Sequence, residues 1–265
     1  MRKGMLLGLI VAAMLVAVAA PVFGESALER VLRTGTLRVV CILSTPPFGG
    51  RDPQGNPIGY DVDIAKELAA SLGVRLEVID SVDAANRVPY IQTGKADVAI
   101  ATLGITLPRA QVINYTDPYI RDGQCIVTRK GTEGVLTVED LAGRTVGVVR
   151  GGPQDSFAES NLGSSTIIRY GTVADVFLAL RQNKVDAVIE SKVISDYQAS
   201  LASGEVVVGA PFTTLYWGFG VPKGDYDWIN YLNIFIRHLN ITGKNAELYA
   251  KWFGGATPPR LMPEY

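Results

Sequence analysis

Ile91-Gln92-Thr93-Gly94-Lys95-Ala96-Asp97-Val98-Ala99-Ile100 and Leu180-Arg181-Gln182-Asn183-Lys184-Val185-Asp186-Ala187-Val188-Ile189 share one shape: a turn, a lysine, an apolar residue, an aspartate and an apolar run. Each closes a longer pattern. Ahead of the first lie a strand-like run at Leu37–Leu43, a helical spacing over Asp63–Leu72 closed by Gly73, a strand at Val74–Ile79 and a short helix over Arg87–Thr93 ending at Gly94. Asp97–Thr102 is then a third strand. Ahead of the second lie a strand at Arg144–Val149, a helix opened by Gly151-Gly152-Pro153, a strand at Thr166–Tyr170 and a helix over Val173–Gln182. Ala187–Glu190 ends the last strand. The order β-α-β-α-β, met twice, predicts two parallel sheets with right-handed crossovers and therefore two lobes of an α/β protein.

Between the two units lies Tyr119–Lys130, with a strand-like Gln124–Thr128; after the second comes Phe212–Val221. Each reads as a strand crossing between lobes. Helical patterns over Trp228–Leu239 and Ala246–Phe253 are expected to return to the first lobe. The division that follows is residues 25–124 with 216–265 for lobe one and 125–215 for lobe two. Residues 1–24 stand apart: Arg2 and Lys3, an uncharged apolar run from Gly4 to Ala20, then Pro21 and small residues before Gly24, the makeup of a cleaved secretory signal. An exported, periplasmic protein is expected.

Composition narrows the chemistry. The chain has 265 residues, 48% hydrophobic and 19% charged, with a net charge of −1. That is too apolar for disorder and offers no basic face for nucleic acid. One histidine and two cysteines leave the usual metal centres short of ligands, and no cofactor is called for. Cys41 and Cys125 could pair in an oxidising compartment, closing one long loop; the preferred reading is unpaired buried thiols.

Ligands of open parallel sheets sit at the carboxyl ends of the strands, so two such edges facing each other form a cleft. Five loops lie there. Ser44-Thr45-Pro46-Pro47-Phe48-Gly49 is stiffened by two prolines and presents Phe48. Asn86-Arg87 places Arg87 at a helix start, where a cation is disfavoured unless an anion meets it. Thr102-Leu103-Gly104-Ile105-Thr106-Leu107-Pro108-Arg109 offers Thr106 as a helix cap and Arg109 as a planar fork for a carboxylate. Arg150-Gly151-Gly152-Pro153-Gln154 opens a helix whose free amides suit an anion. Glu190-Ser191 ends the last edge.

The ordered set of motifs carries a resemblance. Thr36-Leu37-Arg38-Val39-Val40, Pro46-Pro47-Phe48, Gly59-Tyr60-Asp61-Val62-Asp63, Gly94-Lys95-Ala96-Asp97-Val98, Ile105-Thr106 with Arg109, Asn114-Tyr115-Thr116-Asp117-Pro118-Tyr119, Leu141-Ala142-Gly143-Arg144-Thr145-Val146-Gly147 and Tyr249-Ala250-Lys251-Trp252-Phe253-Gly254 stand in sequence. Together they resemble the extracytoplasmic amino-acid-binding proteins of ABC importers, solute-binding family 3. The resemblance implies a type II periplasmic-binding-protein fold of two Rossmann-like lobes, a monomer, and a membrane permease as partner. It implies that Arg109 holds the ligand's α-carboxylate, Thr102 accepts from its ammonium, and the Gln154 loop donates amides.

The chain departs from that pattern at four places. Thr45 replaces an aromatic, Gly104 a hydroxyl residue and Pro153 a threonine. Ser191 stands where an aspartate usually meets the ligand ammonium, with Glu190 just before it. Arg87, Arg109 and Arg150 in one cleft suggest an acidic amino acid. The function expected is capture of a polar amino acid, aspartate or glutamate in particular, with ligand contacts from Arg109, Thr102, Gly104, Thr106, Arg87, Phe48, Arg150, Gln154, Glu190 and Ser191. The alternative is an enzyme. Gly151-Gly152 with Asp155, Phe157 and Ala158 is similar to cyclohexadienyl (arogenate) dehydratases, in which an acid at Asp155 would protonate a leaving hydroxyl.

Overall fold

A computed structural model describes residues 25–254 together with residues 256 and 258. The signal-peptide reading falls on residues 1–24, outside the described residues. No described helix is long and apolar enough to cross a membrane.

Two five-stranded sheets dominate. In the first, β1 (Thr36–Cys41) pairs in parallel with β4 (Arg75–Asp80) and β5 (Val98–Ala99). The hairpin strands β2 (Gly50–Arg51) and β3 (Pro57–Ile58) form a small ribbon beside it. β12 (Leu215–Val221) then runs antiparallel between β5 and β6 (Asn114–Asp122). In the second sheet β8 (Thr145–Val149) pairs in parallel with β9 (Thr166–Tyr170) and β10 (Ala187–Ser191). There β7 (Gln124–Arg129) runs antiparallel between β10 and β11 (Val206–Pro211). The orders β4-β1-β5-β12-β6 and β9-β8-β10-β7-β11 are the same arrangement built twice. In each, the fourth strand comes directly from the other sheet. The chain crosses at Gly123, between β6 and β7, and at Phe212-Thr213-Thr214, between β11 and β12.

The repeated Lys-x-Asp has one structural role in both sheets. The Asp97 N–H donates to the Arg38 carbonyl at 2.9 Å, and the Asp97 carboxylate accepts the Arg38 N–H at 2.8 Å. Likewise the Asp186 N–H donates to the Thr145 carbonyl and its carboxylate accepts the Thr145 N–H, both at 2.8 Å. Each aspartate thus locks the start of the third strand to the start of the first. Asp97 does more. It is buried, pairs with Arg30 and Arg38, and its carbonyl accepts the Trp228 indole N–H.

That last bond ties the C-terminal helices to the first sheet. The helices Tyr226–Ile241 and Lys244–Trp252 pack there against β6 and the helix Tyr60–Leu72. The Tyr60 hydroxyl bonds the Asn245 side chain at 2.5 Å. Cys41 and Cys125 are buried free thiols. Composition and periodicity did not foresee the helices Ala27–Thr34 and Lys192–Leu201 or strand β11.

Because Asp97 holds two guanidinium groups and Asp186 none, their removal should cost differently. Asp186→Ala is expected to destabilise by about 1–3 kcal/mol. Asp97→Ala is expected to cost more, about 2–4 kcal/mol, since it leaves two partly buried cations without their buried partner. Urea denaturation of the two variants side by side makes the comparison.

Candidate functional site

The carboxyl ends of β1, β5, β8 and β10 meet across a cavity lined by Ile42, Thr45, Arg87, Thr102, Val149, Gly152, Pro153, Gln154, Glu190, Ser191, Leu215 and Trp217, among others. The free space in it is about 40 Å³, on the order of three waters. Sites for small ligands run to roughly 300–1,000 Å³. The two lobes are therefore closed on each other here, and admitting a ligand requires that they separate.

Two arginines of the first lobe make the closing contacts. Arg109 Nη1 donates to the Gly104 carbonyl at 3.0 Å within its own lobe. Its Nη2 donates to the Gly151 carbonyl of the second lobe at 2.6 Å. A guanidinium has five N–H groups, so donors remain. Arg87 also reaches the Gly151 carbonyl, at 3.4 Å. Its other donors go to the carbonyls of Ala84, Ala101 and Thr102 at 2.7–2.9 Å. Burial, and then the charge of Arg109, bring the Arg87 guanidinium down to about 9, so it remains a cation at neutral pH.

Apposition is tightest where the sequence departs from its family pattern. A Cβ on Gly104 would lie 2.7 Å from Pro153 Cγ in the facing lobe. The missing hydroxyl at 104 and the proline ring at 153 therefore fit each other. Gly151, at φ +70°, sits against Ala85; a Cβ there would come within 3.0 Å of the Ala85 Cα.

The acceptor side of the cavity is Glu190. It is 2% exposed. Its carboxylate accepts the Ser191 N–H at 2.7 Å and the Gln154 side-chain amide at 2.9 Å. Burial pushes its carboxyl up to about 7, against the pull of the Ser191 N–H. Glu190 and Ser191 both line the cavity although they are strand neighbours. The reason is that Ser191 is already the cap of the helix Lys192–Leu201, its hydroxyl accepting the Ile194 N–H while donating to Asp122. Behind Thr102 lies Asp61, also buried, which accepts the Thr102 N–H at 3.0 Å and the Tyr119 hydroxyl at 2.9 Å. Burial raises it to about 7 as well. Thr102 is held at φ +48°, a left-handed backbone that a β-branched residue rarely adopts.

Five of the ten expected contact residues, Arg87, Thr102, Gln154, Glu190 and Ser191, line the cavity; Gly104 and Arg109 flank it at the lobe contact. Three lie elsewhere. Phe48 is 1% exposed and packs against Tyr60, Trp217 and Phe253, because its loop folds inward rather than toward the cleft. Arg150 is exposed and absent from the lining: Val149 faces the cavity, so strand alternation turns its neighbour outward. Thr106 occupies the cap position of the turn Leu107–Ala110, but its side chain makes no capping bond. The cationic cleft expected from three arginines is thus not built, since Arg150 lies outside it and Arg87 is taken up by carbonyls.

Residues 37–255 match the family model for bacterial extracellular solute-binding proteins, family 3. The chain belongs to that family. A glutamine-binding protein of an ABC transporter from Bacillus subtilis is 27% identical over 209 residues, covering 77% of this chain and 76% of its own. A cyclohexadienyl dehydratase from Pseudomonas aeruginosa is 31% identical over 180 residues, 67% of each chain. A solved mutant of ArgBP from T. maritima superposes with a TM-score of 0.81 at 33% identity, over 86% of this chain and 99% of that one.

Two expectations follow for this family member. Phe48→Ala should cost about 3–5 kcal/mol of stability in denaturant titration, since the ring packs in the core against Tyr60, Trp217 and Phe253. Glu190 titrates above its ordinary range in the folded state. The stability it contributes is therefore full below that ordinary range and is lost as pH rises through about 7. Glu190→Gln should accordingly raise the melting temperature relative to the unaltered protein more at pH 8 than at pH 5. Scanning fluorimetry at both values measures this, and an equal offset would contradict it.

Proposed function

We propose that this chain is an extracytoplasmic receptor that captures a polar amino acid between its two lobes and presents the closed form to an ABC permease. The observation that carries the reading is that each lobe brings one ionisable group to the same closed cavity. The Glu190 carboxyl lines it from the second lobe, and the Arg109 guanidinium flanks it from the first. A zwitterion bound between them would touch both lobes at once. A ligand that does so favours closure, whereas one of equal affinity for open and closed forms shifts nothing.

In this reading Arg109 turns its unused donors to the α-carboxylate, and the ammonium takes the place at Glu190 that the Gln154 amide now fills. The Glu190 position does what an aspartate at 191 does elsewhere in the family pattern. The departures at 104 and 153 leave fewer donors near the carboxylate, so more of the anchoring falls to Arg109. Arg109 keeps three N–H donors and Arg87 one, which fits a polar amino acid without requiring a second carboxylate.

The dehydratase reading rests on Asp155, and the observations there favour a structural role. The Asp155 carboxylate accepts the Gly151 N–H at 3.0 Å and pairs with Arg169 at 2.7 Å. It is not among the residues lining the cavity.

Calorimetric titration with each of the twenty amino acids tests the proposal. Binding is expected for polar ones, with compaction in small-angle scattering as the lobes close. Arg109→Ala should weaken that binding roughly ten- to hundredfold, the value of a charge-assisted hydrogen bond. Binding of none of the twenty, or full affinity in Arg109→Ala, would overturn it.

A further inference from the structure

Trp217 lies on β12 just past the second crossing, opposite Ile120 of β6 and bridged on its other side to Gly104. Trp217 is among the residues lining the cavity and is 2% exposed. Phe48 meets it edge-on, with centroids 4.9 Å apart, and is itself held by Tyr60 and Phe253. The indole is therefore fixed in place by an aromatic stack.

Its Nε1–H has no hydrogen-bond partner and no contact with solvent. Arg30, Ser81 and Gln124 also bury polar atoms without a hydrogen-bond partner, but among the tryptophans Trp217 is the exception. Of the three tryptophans, Trp228 donates to the Asp97 carbonyl and Trp252 to the Asp63 carboxylate, each at 2.9 Å. A buried donor left unmade costs free energy, and such groups are few in native proteins. Phenylalanine would carry no donor to leave unmade. A rigid, buried, unpartnered donor beside a cavity is what a site needs in order to reject ligands that bring no acceptor.

We propose that Trp217 is a specificity-determining residue whose Nε1–H donates to a carboxylate or carboxamide oxygen on the side chain of the bound amino acid. The inference rests on the amino-acid-receptor reading above. There Arg109 and Glu190 take the two charged ends of the zwitterion, which leaves the side chain for Trp217. Carboxylate and carboxamide side chains are those of aspartate, glutamate, asparagine and glutamine. Aliphatic side chains of the same length would bury the indole donor unsatisfied.

The test compares unaltered protein with Trp217→Phe, titrated with L-aspartate, L-glutamate, L-asparagine, L-glutamine, L-norleucine and L-leucine. The unaltered protein is expected to bind at least one of the first four more tightly than either aliphatic probe. Trp217→Phe should weaken that binding roughly three- to tenfold and leave the aliphatic probes unchanged. A second measurement needs no variant. In protein labelled with ¹⁵N at tryptophan, the bound acceptor ligand should move the Trp217 indole N–H signal downfield, while those of Trp228 and Trp252, already bonded, stay in place. Equal losses on all probes, a preference for norleucine or leucine, or an unmoved Trp217 signal on a saturated protein would each overturn the proposal. Were no amino acid to bind, the receptor reading itself would fall; a receptor that binds amino acids with none of these signs removes only the role of Trp217.

Discussion

Two guanidinium groups from the first lobe, on Arg87 and Arg109, converge on one carbonyl oxygen of the second, that of Gly151. The oxygen is available because Gly151 adopts φ +70° and carries no Cβ to collide with Ala85. Around this point everything else in the cleft is arranged. Pro153 stacks on Gly104, the helix Pro153–Asn161 directs Gln154 inward, and Gln154 reaches Glu190. Two positive groups on one backbone dipole repel each other. Arg87 can stay there because three further carbonyls and the nearby Asp61 surround it.

The fold was largely legible. Parallel strands buried on both faces read as continuous apolar runs, and helix ends are punctuated by glycine, so the two β-α-β-α-β units stood out. The duplicated aspartate was visible as a repeat before its bond to the first strand was known. What escaped notice has a physical reason. β11 is mostly half-exposed or exposed, Val206 being its one buried residue, and it ends in Gly209, Ala210 and Pro211, which read as loop. The helix Lys192–Leu201 begins directly at the end of β10, with Ser191 serving as both last strand residue and cap, so no turn separates them.

The site was legible in outline and not in detail. Strand ends located the cavity, and chemistry singled out Arg109, Thr102 and Glu190. Phe48 and Arg150 were misplaced because sequence gives the loop and not the direction of its side chains. A residue beside two prolines can face the cleft or the core with equal ease. Asp61 and Tyr119 went unremarked as site residues, and Trp217 reads from sequence as core and hinge packing that could also line the cleft. Asp61 was hidden in a helix start where an acid needs no further explanation, and Trp217 in a strand where aromatics are common. Only three-dimensional proximity shows that Asp61 holds the Thr102 backbone and that the Trp217 donor has no partner.

The fit of Pro153 into the space above Gly104 has a bearing on how this lineage can change. A side chain gained at 104 collides with the ring unless residue 153 shrinks or shifts, and contacting positions of this kind do not contribute additively. The two sites are then bound to drift together. Among descendants of a common ancestor, small residues at one should travel with rings at the other, leaving a joint signature that neither column of an alignment would carry by itself.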